Sequence, residues 1–509
     1  MKAIWFAGLG LASAGLYLSG STAIHSSGLQ TFNRENVLGT SFEMKVSASS
    51  WETAEKAETA AVGEIARQSS ILSSWDTRSE FSRWFRTKGE AVPVSAELFD
   101  VLSTFDHWRA RTGGALNPAA EVITRAWKSA ASQGRTPSAD ELARATGAVK
   151  QAHWRLDTVS HTATHLDDTP LAMNSFVKSY IMDRAAHAAL GVPGVTAVVL
   201  NVGGDLVIRG SWTEPVAIAD PASSAENSAP AARLFVKDRA VATSGNYRRG
   251  FDIAGRHYSH IVDPRTGQTA DHILSATVIS PNPADAGALA TAFCVLTPAE
   301  SRKLAASAPN TEFLLITAEG SRIASAGWKR YEAAPPVLSA LAKPLPAAYF
   351  APQASAGAGG LDLSIAFEIA QPGGMARRPF VAVWVEDKDR FPVRTLALWF
   401  DKDRWLPDLR SWYRGDRVRA MAEGNDITTS VASATRPPGK YTLKWDGKDN
   451  AGKPVKSGKY TVCIEAAREH GTYQIMRQEV DLTSGPHQFQ IPGNQEIASA
   501  SIDYRKAAH

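Results

Sequence analysis

Three strings between Val241 and Leu296 organise this chain: Val241-Ala-Thr-Ser-Gly-Asn-Tyr247, His257-Tyr-Ser-His-Ile-Val-Asp-Pro-Arg-Thr-Gly267 and Ala284-Asp-Ala-Gly-Ala-Leu-Ala-Thr-Ala-Phe293. The middle string sets an imidazole (His260), a carboxylate (Asp263), a guanidinium (Arg265) and a hydroxyl (Thr266) close together around Pro264 and Gly267. Proline fixes φ and glycine relaxes it, so Asp263 to Gly267 predicts a tight turn between strands. A rigid turn presenting four polar groups suits the grip of a phosphate-bearing ligand. It suits an ordinary strand end as well.

Working outward, Thr196-Ala-Val-Val-Leu-Asn-Val202 is a nearly all-apolar, β-branched run, the pattern of a strand buried on both faces. Gly203-Gly204-Asp205 turns it into a second strand, Leu206 to Arg209. Further strands are expected over Phe42–Val46, Leu234–Lys237, Tyr258–Val262 and Ser275–Ser280. Helical spacing of apolar residues predicts helices over Glu52–Leu72, Ala96–Arg111, Phe176–Leu190 and about Pro283–Leu296. Strands and helices mixed in this way predict an α+β domain over residues 30–332. Residues 333–360 are rich in Ala, Pro and Gly and read as a linker. From 361 to 507, short strands such as Phe380–Val385 and Tyr460–Ile464 alternate with turn signals, a β-sandwich pattern.

The 509 residues exceed one typical domain, and Lys+Arg at 55 nearly balances Asp+Glu at 51. With no basic run interleaved with aromatics, nucleic acid is not an expected partner. Met1-Lys2, the apolar run Ala3–Leu18 and the small residues Ser21 and Ala23 read as an export signal (residues 1–23), cut near Ala23 or retained as a membrane anchor. Cys294 and Cys463 are the only cysteines and fall in different domains, so no disulfide framework or thiolate metal cluster can be built from them.

Each polar feature carries two readings. The amides of Gly203 and Gly204 could serve a pyrophosphate, or the glycines could simply make a hairpin turn. His260, titrating near neutrality, could be an acid, a base or a phosphate donor, or a structural strand-end residue. His161 and His165 would share one side of a strand and could pair on a metal, although an exposed hairpin edge explains the local threonines better. Trp399, Trp405, Trp412 and Tyr413 offer either a carbohydrate or partner surface, or core packing, which is the simpler reading.

Taken together, the strings resemble those of ApbE-type FAD:protein FMN transferases, over about Val37 to Gly327. They include Leu38-Gly-Thr40, Leu72-Ser-Ser-Trp-Asp-Thr-Arg-Ser-Glu-Phe-Ser82, Gly114-Ala-Leu-Asn-Pro118, Phe176-Val-Lys-Ser-Tyr180 and Asn201-Val-Gly-Gly-Asp205. Thr243-Ser-Gly-Asn-Tyr247, His260-Ile-Val-Asp-Pro-Arg-Thr-Gly267 and Ala288-Leu-Ala-Thr291 complete the set. The resemblance implies a T-fold-like α+β domain that uses FAD as substrate and Mg²⁺ as cofactor. Its reaction would pass FMN to a threonine or serine of an exported flavoprotein of a respiratory or electron-transfer system, releasing AMP.

Carried over by position, Leu38, Trp75, Ala115, Leu116, Asn117 and Lys178 would line the flavin nucleotide. Gly203, Gly204, Asp205 and His260 would sit beside it, with His260 catalytic. Ser175, through its carbonyl, and Thr291 would reach the metal. The chain departs from the family at Leu116-Asn117 (usually Phe-Asp), at Ala172-Met-Asn-Ser175 (usually Asp-Leu-Gly-Gly) and at Gly287, where the metal aspartate is expected. Asp285 is the candidate substitute for the metal carboxylate; six positions on a helix are about 120° apart, so it reaches the metal beside Thr291 only if the helix begins after it. A flavin-binding protein with little transfer activity, docking a periplasmic or membrane redox partner, is the alternative these departures imply. The last part resembles an uncharacterised domain of exported bacterial proteins through Arg378-Pro-Phe-Val-Ala-Val-Trp-Val-Glu386, and immunoglobulin-like modules through Trp445-Asp-Gly-Lys-Asp-Asn-Ala-Gly452. The resemblances together imply a periplasmic location, close to the inner membrane if the signal is uncleaved.

Overall fold

The computed structural model describes residues 29–332 and 361–506, apart from 224, 226, 247–248, 372–377, 401–402, 425–426, 434 and 469–471. The export signal and the linker lie outside the described residues.

The N-terminal region is built on an eight-stranded sheet: β1 (Gln30–Val37), β2 (Thr40–Ala48), β3 (Val195–Val202), β4 (Asp205–Gly210), β5 (Ala240–Gly245), β6 (Ile273–Ser280), β7 (Glu312–Thr317) and β8 (Arg322–Ala324). In space the strands follow in that same order and every neighbouring pair is antiparallel. The β3 run is buried on both faces, as its composition predicts. Val198, Leu200 and Val202 point into the helical layer, and Val199 packs on the opposite side with Ile208, Ile279 and Trp328.

Four helices make the main layer: α1 (Trp51–Leu72), α2 (Ala96–Arg111), α3 (Val177–Leu190) and α4 (Pro283–Val295). Each of α1, α2 and α4 starts on a side-chain cap, from Ser50, Ser95 and Asn282 respectively, which satisfies an otherwise orphaned amide. Helix α4 also has Pro283 in its first turn, where the missing N–H costs nothing. It is buried nearly all round, because Ala286, Gly287, Ala288 and Ala290 let it sit deep between α3 and the sheet. Leu289 and Phe293 are fully buried, each contributing roughly 2 kcal/mol of burial, and Phe293 meets Phe313 edge-on at 5.2 Å.

Three local expectations are corrected. The strand predicted over Tyr258–Val262 stops at Ser259, because the chain leaves the ladder when the Ile261 amide turns to the Ser259 hydroxyl at 2.9 Å. Helices at Glu121–Ser132 and Ala139–Val149, the second opened by a Ser138–Glu141 capping box, occupy a stretch with no predicted structure. His161 and His165 do not share a site: His161 sits at a turn with φ +53° and stacks on Phe99, whereas His165 is buried against Phe85 and Trp84.

The C-terminal region is β-rich. Strands β9 (Leu361–Ile369), β10 (Phe380–Glu386), β11 (Pro392–Trp399), β12 (Ala432–Ser433), β13 (Gly439–Trp445), β14 (Lys459–Ala467), β15 (Tyr473–Asp481), β16 (His487–Ile491) and β17 (Ile497–Lys506) form two sheets, ordered β13-β9-β17-β16 and β12-β11-β10-β14-β15. The sheets share a core that includes Ile365, Phe367, Val383, Trp399, Ile464 and Tyr504. The aromatic string resolves into core: Trp399 is buried between the sheets. Trp412 is buried on the outer face of the second sheet, on α5 (Arg410–Glu423), a helix in a region expected to be all strands.

Candidate active site

A cavity of about 480 Å³ opens at the end of the large sheet, where the β3–β4 turn meets the last residues of β5. Gly203 and Thr243 to Gly245 come from the sheet, Ser175 and Lys178 from the start of α3, and Thr291 and Val295 from the C-terminal half of α4. Ala115, Leu116 and Asn117 close one side, and His260 and Pro264 the other.

The polar turn divides its labour. Asp263 accepts the Thr266 and Gly267 amides on its carbonyl and holds the Arg265 guanidinium in a two-point grip at 2.9 Å. Gly267, at φ +79°, passes its carbonyl to the indole of Trp127 at 2.9 Å. Asp263, Arg265 and Thr266 therefore build the turn, and the string presents His260, Ile261, Val262 and Pro264 to the cavity, with His260 its one titratable group. His260 Nδ1 lies 3.0 Å from the Arg249 carbonyl. A carbonyl only accepts, so Nδ1 carries the proton and Nε2 keeps a free lone pair. Burial lowers the His260 pKa below its ordinary value, with the Arg249 and His257 charges adding to the effect against the carbonyl bond, so the imidazole is neutral at pH 7.

Lys178 reaches the Asp205 carboxylate at 2.8 Å and the Val202 carbonyl at 3.1 Å, and the other Asp205 oxygen accepts the Thr243 amide. Asp205 does not border the cavity; it aims Lys178 and ties the β3–β4 turn to β5. The amides of the Gly-Gly turn are not available to a ligand. Gly203 donates to Ser41 at 3.0 Å and Gly204 to the Asn201 side chain at 3.1 Å. Glycine is required there for a different reason: Gly203 has φ +58°, and a Cβ would lie 2.8 Å from the Thr40 hydroxyl.

Thr291 Oγ1 sits 3.3 Å from the Ser175 carbonyl, 3.1 Å from the Gly287 carbonyl and 3.4 Å from the Ser244 hydroxyl. All of these oxygens are neutral. Asp285 is on the other side of the helix, in a separate cleft of about 350 Å³ with Asp100, His107, Trp108 and Tyr180, where burial raises its pKa. Mg²⁺ is held by carboxylates, phosphates and water. Among the described residues no three acidic, histidine or cysteine side chains are placed to hold a metal, so the residues around Thr291 do not fit a carboxylate-bound Mg²⁺.

Of the other expected residues, Leu38 (φ +50°) and Gly39 turn β1 into β2, and Leu38 packs on the helical core rather than on the cavity. Trp75 is 83% exposed and also lies outside the lining. The Asn117 side chain is spent on the Val149 carbonyl and the Ala119 amide. Sequence reasoning passed over Ser244 and Arg249, both lining residues. Ser244 lies inside the Thr243–Tyr247 string, but an alternating strand end gives no reason to prefer one hydroxyl.

A family model described as the ApbE family matches residues 38–315, and one described as predicted periplasmic protein (DUF2271) matches 362–499. An FAD:protein FMN transferase of Treponema pallidum is 28% identical over 286 residues, spanning 52% of this chain and 77% of its own. That of Escherichia coli K12 is 26% identical over 262 residues, 50% of this chain and 72% of its own. The crystal structure of the Thermotoga maritima ApbE protein superposes with TM-score 0.53 at 25% identity, covering 60% of this chain and all of that one. The Pseudomonas stutzeri flavinyl transferase, at 21% identity and TM-score 0.50, shares the fold over 60% of this chain and 98% of its own. With a match to more than half of its length, laid over the sheet and helices that frame the cavity, the chain belongs to the ApbE family.

Proposed function

We propose that this protein is an exported FAD:protein FMN transferase, which cleaves FAD, attaches FMN to a threonine or serine of a target flavoprotein and releases AMP. The observation that carries the reading is His260: a neutral imidazole, its tautomer fixed by the Arg249 carbonyl, with Nε2 free at a cavity that also holds Lys178. In the reaction, the acceptor hydroxyl gives its proton to Nε2 as its oxygen bonds to the FMN phosphorus. The phosphorus–oxygen bond to AMP breaks, and AMP leaves with the electron pair. Lys178, aimed by Asp205, faces the charge that develops on the phosphate oxygens. Ala115, Leu116 and Asn117 line the flavin side, and Leu38 and Trp75 reach the flavin only if their loops fold over it.

The domain is read as T-fold-like, and the β-rich region as an immunoglobulin-like sandwich that docks or stabilises the enzyme near its acceptor, a flavoprotein of a periplasmic electron-transfer system. The match to a predicted periplasmic family supports export. Among the described residues no helix is long and apolar enough to cross a membrane. Incubating the purified chain with FAD and an acceptor flavoprotein, followed by mass spectrometry, tests the reading: an FMN adduct with matching AMP release is expected, and its absence overturns it. The neutral donor set at Thr291 favours one second reading, flavin binding without transfer, which the same experiment reports as bound FAD and an unmodified acceptor.

A further inference from the structure

The lining of the large cavity contains two cations and one acid: Lys178, Arg249 and Glu121. Lys178 is already balanced by Asp205 at 2.8 Å, and Glu121 by Arg125 at 2.9 Å. Arg249 remains. Its guanidinium makes no ion pair among the described residues, so of the charged lining residues described it is the uncompensated one.

The place where a carboxylate would hold a metal has meanwhile been closed. A Cβ on Gly287 would lie 3.0 Å from the Ser179 hydroxyl, 3.1 Å from the Phe176 Cα and 3.2 Å from the Ser175 carbonyl. The glycine is therefore not a truncated ligand beside an open hole. Ser179, itself buried, crowds the Cβ that an aspartate would need, and the Ser175 carbonyl beside it would disfavour a carboxylate.

Resting on the reading of this cavity as the FAD site, we propose that Arg249 binds the FAD pyrophosphate directly, in place of a divalent cation held by a protein carboxylate. A guanidinium offers planar, paired N–H donors that match phosphate oxygens and cannot be deprotonated near neutrality. Its position suits the role, because the same residue's carbonyl orients His260. Arg249 thus fixes the base through its backbone and the phosphates through its side chain.

The test uses the full chain, stripped with EDTA, and compares the dissociation constants of FAD and riboflavin with and without Mg²⁺. FAD is expected to bind within about threefold in both conditions. Arg249→Ala should weaken FAD by roughly ten- to a hundredfold, the range of a charge-assisted hydrogen bond, and leave riboflavin, which has no phosphate, within about twofold. Arg249→Lys should recover part of the loss. Mg²⁺ tightening FAD tenfold or more in the unmodified chain overturns the inference, as does an Arg249→Ala variant that weakens both ligands alike. A chain that binds neither flavin overturns the functional reading itself.

Discussion

Restoring the missing carboxylate by Gly287→Asp is expected to damage this protein rather than improve it. The new Cβ would press on the Ser179 hydroxyl at 3.0 Å, the Phe176 backbone at 3.1 Å and the Ser175 carbonyl at 3.2 Å. Overpacking of this kind costs about 1–3 kcal/mol. Gly287 is buried, so the carboxylate would also be desolvated beside carbonyl oxygens, adding roughly 3 kcal/mol if it stays charged. Replacing a helical glycine returns only a few tenths of a kcal/mol. The net loss, about 4 kcal/mol, lowers Tm by on the order of 10 °C for a domain of this size. Thermal unfolding in EDTA measures it. Adding Ser179→Gly opens the space, so the double variant should recover a few degrees in EDTA and gain more with millimolar Mg²⁺, because saturation at a hundred times Kd is worth about 2.7 kcal/mol. The unmodified chain should show no such gain. A Gly287→Asp variant that melts with the unmodified chain in EDTA would refute the claim that Ser179 and its neighbours have closed the site.

Transfer activity should track the neutral imidazole of His260. Its lowered pKa means that the rate rises with pH through a midpoint below histidine's ordinary 6.5 and is flat above it, and His260→Gln should abolish the rise. In the β-rich region the buried Glu465 accepts the Ser411 and Trp412 amides, both at 2.8 Å, at the start of α5. Glu465→Ala orphans both donors and should cost roughly 2–4 kcal/mol in urea unfolding, with Glu465→Gln milder. His165, with neither ring nitrogen bonded, is held neutral chiefly by burial; His153 and Lys88 add to this and Asp167 and Asp168 oppose it. The unfolded chain takes up a proton near pH 6.5 while the folded imidazole does not, so this contribution is present above 6.5 and lost as pH falls, by at most about 1.4 kcal/mol per unit. Urea midpoints at pH 7.5 and 5.5 should differ less in His165→Phe.

What the residues announced, and what they concealed, follows from how local each signal is. The doubly buried strand β3 and the helices α1 to α4 could be read because apolar spacing is a property of the segment itself. The turn at Asp263 was equally legible, because Pro264 and Gly267 restrict the backbone wherever they occur. Asp285 was misplaced as a metal ligand: it could face Thr291 only if the helix began after it, and α4 already begins at Pro283, which turns Asp285 into the other cleft. The helices at 121–149 were missed because their buried faces rest on a few positions, Ile123, Trp127, Leu142 and Val149, among alanines and polar residues. Whether the Gly203 and Gly204 amides are free depends on Ser41 and Asn201, and no pattern around the glycines reports those partners. Arg249 was concealed for the same reason: its importance comes from Asp205 and Arg125 cancelling the neighbouring charges, which only the packed structure reveals.

The base and the proposed phosphate contact are eleven residues apart in sequence and meet through one hairpin. Gly250–Ile253 pairs with Arg256–Ser259, Gly250 facing Ser259, so the next residue out on each strand is Arg249 on one side and His260 on the other. The register is set at the far end, by Ala254 at φ +49° and Gly255 at φ +78°, a two-residue turn of the type that matches strand twist. Strand side chains alternate faces, so a slip of one residue would turn the imidazole away from the cavity and remove its carbonyl partner. The tautomer of His260 is therefore held by backbone pairing and not by a side-chain partner. A hydrogen bond of that kind survives most substitutions along the strands, which leaves the outward side chains of the hairpin free to vary around a fixed base.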